Sequence, residues 1–193
     1  MDSNTQINLY QMNGLINNLS YFDELKYELL NNWQFIDKKF IFPTPIDSNI
    51  ISFSLTDGFD FNFTNTKKIL KEIKNVGGMY VRLYIYPPYT RTTFHRDAPE
   101  FRYVFPIVSN HMCFNYELKN QLLNQSKLTE EFFKIQTDTD LKLFNDDFLK
   151  NENSIYVWKP NNSYLIGTNA HAHLNFSDEN RIVIVFDHRG KLF

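Results

Sequence analysis

From Met79 onward the chain alternates with a period of two, and no other pattern limits its fold so strongly. Val81, Leu83 and Ile85 fall on one side, Arg82, Tyr84 and Tyr86 on the other, and Pro87-Pro88 ends the run. That is a strand with two different faces. Further strands are predicted at 101–108, 112–118, 154–158, 163–167, 170–176 and 181–187. The first part of the chain reads differently. Residues 1–18 are polar and predict a loose arm. Ser20 is the expected N-cap of a helix, with Asp23 and Glu24 in its first turn and Phe22, Leu25, Leu29 and Trp33 on one face. Residues 40–63 carry turn signals (Pro43, Pro45, Asp57-Gly58) and short aromatic runs, so short strands are expected there. A second helix is expected over Thr64 to Asn75, closed by Gly77-Gly78.

Helices followed by many short strands predict an α+β protein whose sheet curls into a jelly roll or barrel. The whole chain, 1–193, is read as one domain. Residues 1–78 support it, 79–118 and 154–188 form the barrel core, and 119–153 form an insertion. The insertion is rich in Lys, Asp, Glu, Asn and Gln, with Leu128, Phe132 and Phe133, then Leu141, Phe144 and Phe148, at helical spacing. It reads either as a solvated cap without a catalytic part or as a lid over a site. Aromatic residues make up 17% of the chain, too many for a disordered one. The net charge of −2 offers no basic excess for nucleic acid and no charged block for a membrane surface. A single cysteine, Cys113, excludes an internal disulfide and reads as a buried, inert thiol. With no leader-like segment and no stretch long enough to cross a bilayer, the expectation is a soluble, cytoplasmic protein.

Two histidine islands lie within the strand-rich part. One is His95-Arg96-Asp97; the other is His171-Ala172-His173, followed by Asn175 and Arg181. An H-x-D and a distant His can supply two imidazoles and one carboxylate to one face of a metal, the ligand set of non-haem Fe(II) oxygenases. Jelly-roll topology brings strands distant in sequence together. His171 and His173 share one strand face, so either can approach the metal, and His171 has the better spacing to Asn175 and Arg181. His173 would then line a pocket or hold an outer group. Arg181 begins the apolar run Ile182-Val183-Ile184-Val185-Phe186, where a buried guanidinium can grip a carboxylate in two places. Its plainer reading is a surface salt bridge. Arg82 suits ion pairing as well as substrate binding, and Trp158 reads as core. His111 and His188 receive no role.

The segments Arg82-Leu83-Tyr84-Ile85-Tyr86-Pro87-Pro88, His95-Arg96-Asp97, Phe101-Arg102-Tyr103-Val104-Phe105-Pro106-Ile107 and Asn110 resemble the core of the aspartyl/asparaginyl β-hydroxylase family. So do Trp158-Lys159-Pro160-Asn161-Asn162-Ser163-Tyr164, His171, Asn175 and Arg181-Ile182-Val183-Ile184-Val185-Phe186-Asp187. The resemblance spans about residues 79–118 and 154–188. It implies a double-stranded β-helix that uses Fe(II) and 2-oxoglutarate. It implies that His95, Asp97 and His171 bind iron, that Arg181 binds the distal carboxylate of 2-oxoglutarate, and that Arg102 helps hold the cosubstrate. Val104 stands where many family members have a second cosubstrate-binding histidine. Asp97 fills the place that halogenating relatives leave for halide, which fits hydroxylation. The implied substrate is an amino-acid-like group on a small molecule or peptide. Two other readings remain open: a cupin-like metalloprotein without 2-oxoglutarate, such as a dioxygenase or isomerase, and a binding domain on the same barrel.

Overall fold

The computed structural model describes residues 19–41, 49–55, 62–75, 77–97, 102–119, 123–162, 164–166 and 169–188. The expected arm at 1–18 and the turn signals at Pro43, Pro45 and Asp57-Gly58 lie outside them. Among the described residues, four α-helices and eight strands appear in chain order: α1 (Phe22–Asn32), β1 (Ile51–Ser54), α2 (Thr64–Asn75), β2 (Gly78–Tyr86), β3 (Arg102–Val108) and β4 (Cys113–Leu118). Then come α3 (Gln125–Phe133), α4 (Asp138–Lys150), β5 (Ser154–Val157), β6 (Tyr164–Ile166), β7 (Ala170–Asn175) and β8 (Arg181–His188). No helix among the described residues is long and apolar enough to cross a membrane.

The strands form two antiparallel sheets. The larger runs β1-β2-β8-β3-β6 and the smaller β5-β4-β7. Residues 91–95 extend the smaller sheet beyond β7 through bridges of Arg91 to Leu174 and His95 to His171. From β2 onward, counting residues 91–95, the chain crosses between the sheets at every step except β4 to β5, as in a jelly roll, and the expected α+β double-stranded β-helix is the fold observed.

Alternation sorts every strand into an inner and an outer face. In the larger sheet the outer set is Val81, Leu83, Ile85, Tyr103, Phe105, Ile107, Ile182, Ile184 and Phe186. These residues pack against Leu25 and Leu29 of α1 and Ile69, Leu70 and Ile73 of α2 in one buried cluster. The inner set, Tyr84, Tyr86, Val104, Val183 and Val185, packs with Trp158 in another. Pro106 is tolerated within β3 because β6 pairs only with Arg102 to Val104, so no ladder needs a donor there; its carbonyl instead accepts from Asn161 N–H.

α1 begins one turn-residue later than expected. Tyr21, not Ser20, occupies the cap, and no side chain closes it. Trp33 falls outside the helix in a short 3₁₀ turn, Trp33–Phe35. α2 matches its expected span. Gly77, at φ 86°, provides the left-handed residue that ends it. Gly78 is required for a different reason: a Cβ there would stand 2.3 Å from Ile73 Cγ2 and 2.8 Å from the Ile73 carbonyl oxygen. The start of α2 is capped from outside. Glu28 of α1 accepts from the backbone N–H groups of Asn65 and Thr66, at 2.9 and 2.8 Å, and from the Thr66 hydroxyl at 2.7 Å.

The insertion forms α3 and α4, the latter opened by a capping box between Thr137 and Asp140. Phe132, Leu141 and Phe148 pack with Tyr116, Leu118, Ala170, Ala172 and Leu174, the outer face of the smaller sheet. The lid reading is therefore not the arrangement found. These helices back the sheet from behind. They also fix the segment that carries His95: Arg91 donates to the carbonyls of Phe132 and Ile135 at the end of α3, and Phe94 N–H donates to Thr129.

Candidate metal and carboxylate site

The space between the inner faces collects the polar residues of both sheets. The smaller sheet contributes His171 and His173 from β7 and Asn115 and Glu117 from β4. In register, Asn115 faces His173 and Glu117 faces His171. The larger sheet contributes Arg102 from β3 and Arg181 and Asp187 from β8. Arg102 and Asp187 are direct cross-strand partners. His95 and Asp97 arrive on the segment bridged to β7.

His95, Asp97 and His171 converge. His171 Nε2 lies 3.3 Å from Asp97 Oδ2, and His95 Nε2 lies 4.0 Å from Asp97 Oδ1. Adjacent donors of an octahedral ion with bonds of about 2.1 Å stand roughly 3 Å apart, so this spacing is close to what such an ion needs. Each imidazole is held from behind. His95 Nδ1–H donates to the Thr93 carbonyl at 2.9 Å, and His171 Nδ1–H to the Asn169 carbonyl at 3.2 Å. A carbonyl can only accept, so both rings present Nε2 as the free nitrogen, the usual outer arrangement of metal-bound histidine. His171 Nε2 is buried without a hydrogen-bond partner. The residues fit a divalent cation.

His173 lies deeper. Its Nδ1–H donates to Asn115 Oδ1 at 2.7 Å, and its ring sits 5.3 Å from Trp158 and 6.0 Å from Tyr86 between centroids. His95, His171 and His173 each bring one ring nitrogen within 4.8 Å of the others. Burial holds the His95 imidazole below its ordinary pKa, reinforced by His171. Burial does the same more strongly to His173, reinforced by His171 and Arg181. Both shifts favour the neutral imidazole, the form that binds metal.

Arg102 grips two carboxylates. Its Nε–H donates to Asp187 Oδ1 at 2.8 Å, and Nη1–H donates to Asp97 Oδ1. This leaves Asp97 Oδ2 toward His171. Burial raises the Asp97 carboxyl's pKa, but His171, Arg102 and His95 together outweigh it and hold the group below the usual range. Arg102 thus has two carboxylate partners within the protein.

Arg181 is 1% exposed. Its Nη2–H donates to Asn115 Oδ1 at 2.9 Å, so Asn115 joins the guanidinium to His173. The faces of Trp158 and Tyr86 flank it at 4.9 and 5.3 Å. Nε and Nη1 are buried with no partner, and burial lowers its pKa. A cation in this state, with two donors unused, fits a carboxylate. The surface salt-bridge reading of Arg181 is excluded by its burial.

Two cavities meet at Trp158, Ile166 and His173. The inner one reaches His95, Asp97 and Arg102 and measures about 30 Å³, room for a water and no more. The outer one reaches His171 and measures about 260 Å³. Arg181 lines neither cavity; its guanidinium lies against the Trp158 ring, which borders both.

Sequence reasoning overlooked Asn115, Asp187 and Glu117. A signal for the first and last was present: in Cys113-Phe114-Asn115-Tyr116-Glu117-Leu118 the polar residues alternate with bulky apolar ones, like the histidines of β7. Asn175, part of the motif spacing, is structural. Its amide donates to the carbonyls of Tyr86, Pro87 and Glu179, tying the end of β7 to the end of β2 and the turn before β8. Cys113 is buried, as expected.

No family model matches the chain, and no curated protein matches it. Among solved structures it is similar to a Pseudomonas putida prolyl-4-hydroxylase at 11% identity and a TM-score of 0.44, covering 92% of this chain and 88% of that one. It is also similar to Drosophila melanogaster CENP-C bound to CAL1, at 7% identity and 0.43, covering 86% and 94%. A cupin-2 domain from Rhodospirillum rubrum gives 10% identity and 0.42, covering 82% and 72%. At these values the likenesses decide neither family nor activity.

Proposed function

We propose that this protein is an Fe(II)- and 2-oxoglutarate-dependent dioxygenase that hydroxylates an amino-acid-like group. The observation that carries the reading is the convergence of two back-held imidazoles, His95 and His171, on the Asp97 carboxylate. Iron bound there, with 2-oxoglutarate and O₂, supplies the oxidising power to replace a C–H bond by C–OH, as 2-oxoglutarate leaves as succinate and CO₂. The chain's own residues do the rest. His95, His171 and Asp97 Oδ2 would hold the ion. Arg102 fixes Asp97 through Oδ1, and Asp187 fixes Arg102. Of the five guanidinium N–H groups, those not given to Asp97 and Asp187 are what Arg102 has for a cosubstrate. Arg181, steadied by Asn115, Trp158 and Tyr86, offers Nε and Nη1 to the distal carboxylate. A carboxylate at position 97 also occupies the place a halide would need. The experiment is anaerobic titration with Fe(II) and 2-oxoglutarate, followed by succinate release in air. Binding of both with succinate formation supports the reading; tight metal binding with no 2-oxoglutarate binding overturns it.

One observation favours a second reading. The ring nitrogens of His95, His171 and His173 also lie mutually close. A three-histidine ion would suit a metalloprotein that acts without 2-oxoglutarate. In that case His173→Ala would damage metal binding more than Asp97→Ala.

A further inference from the structure

We infer that the outer cavity binds an organic cation, an alkylammonium or guanidinium group, and so selects a positively charged amino-acid-like substrate. The inference rests on the proposed oxygenase reading only for what becomes of the bound group; the binding itself is a property of the cavity wall.

The cavity of about 260 Å³ is lined by His171, His173, Glu117, Tyr156, Trp158 and Tyr164. Antiparallel register puts Glu117 on the inner face, directly across from His171 on one side and Ser154 on the other. Its carboxylate is oriented by two neutral donors. Tyr156 O–H donates to Oε2 at 2.9 Å, and the Asn169 amide donates to Oε1 at 2.7 Å. Each carboxylate oxygen accepts about two hydrogen bonds, so each keeps room for another. Among the described residues no lysine, arginine or histidine forms an ion pair with Glu117.

The walls beside this charge are aromatic. Trp158 and Tyr164 stack with centroids 5.5 Å apart, and the Tyr164 hydroxyl accepts from Lys159 N–H at 2.8 Å, which holds its ring in place. A carboxylate with no ion-pair partner among the described residues, set beside the phenol rings of Tyr156 and Tyr164, is an environment that favours an organic cation through charge first and aromatic contact second. The same carboxylate repels anions, so an aspartate-like side chain is disfavoured here. Because Glu117 stands in register with His171, a group held at Glu117 lies beside the proposed metal site.

The test uses the metal-free full chain carrying Trp33→Phe, so that Trp158 alone reports by fluorescence. It is titrated with n-butylammonium, methylguanidinium, n-butanol and n-butyrate. The cations should change the emission saturably, at concentrations at least tenfold lower than butanol or butyrate. Glu117→Gln, which keeps the size of the side chain, should weaken the cations by tenfold or more and leave butanol unchanged. Butyrate binding as well as butylammonium overturns the inference, and so does cation binding that Glu117→Gln leaves intact. A parallel Mn(II) titration separates the two readings: a cation-selective cavity in a protein that binds no metal keeps this inference and removes the oxygenase.

Discussion

Asp97 Oδ2 lies 3.3 Å from Nε2 of His171, a nitrogen that is buried and has no hydrogen-bond partner. The two residues meet because residues 91–95 pair with β7 as an added strand, and because α3 and α4 hold that strand from outside. A carboxylate and an imidazole brought together this way, each fixed by other groups, await something between them.

The choice between β7 histidines is open to a direct comparison. His171→Ala should reduce Mn(II) affinity by more than the roughly 10–100-fold typical of losing an outer-shell partner. His173→Ala should fall within that outer-shell range, because its Nδ1–H donates to Asn115, whose Oδ1 also accepts from Arg181. Equilibrium dialysis of the two variants measures this, and the reverse order moves the third ligand to His173.

Arg102→Met frees Asp97 from its clamp without touching a ligand. Metal affinity should drop by about 10–100-fold, with Asp187→Asn causing a smaller loss through Arg102. Metal binding unchanged in Arg102→Met, by the same dialysis, contradicts this role.

Arg181→Met separates binding from stability. Removing a buried cation with two unused donors relieves a desolvation cost, which offsets the lost hydrogen bond to Asn115. The metal-free variant should therefore melt no lower than the parent, while its 2-oxoglutarate affinity falls at least tenfold. Calorimetry and a 2-oxoglutarate titration check both halves.

Glu28→Ala tests the helix layer. It leaves the first N–H groups of α2 and the Thr66 hydroxyl without their acceptor. Hydrogen bonds to a charged group contribute about 1.5–3 kcal/mol each, part of which water restores here, so a loss of about 2–4 kcal/mol in urea unfolding is expected. Metal affinity should not change.

Much of the fold was legible because alternation is a strong signal. Val81, Leu83 and Ile85 against Tyr84 and Tyr86 divide as expected between the helix side and the barrel interior. The α2 boundaries followed from the glycines, and the α1 cap was misplaced because Ser20 makes no capping bond there. Of the site, the histidine islands could be read from spacing, but the partners of Arg102 and Arg181 could not. Asp187 pairs with Arg102 only through the β3–β8 register, and Asn115 reaches both His173 and Arg181 only because β4 lies beside β7. The side on which the insertion packs was equally hidden, since its apolar residues suit a lid as well as a backing layer; the alanines of β7 settle it by giving α3 and α4 a flat outer face.

The most direct measurement of the central claim is an anaerobic Mn(II) titration of the parent and of His95→Ala, followed by electron paramagnetic resonance, with and without 2-oxoglutarate. The parent should bind one ion per chain, 2-oxoglutarate should alter its spectrum, and His95→Ala should bind no ion over the same range while keeping the parental circular dichroism. Parental stoichiometry and affinity in a folded His95→Ala protein would contradict the assignment of a metal centre to His95, Asp97 and His171.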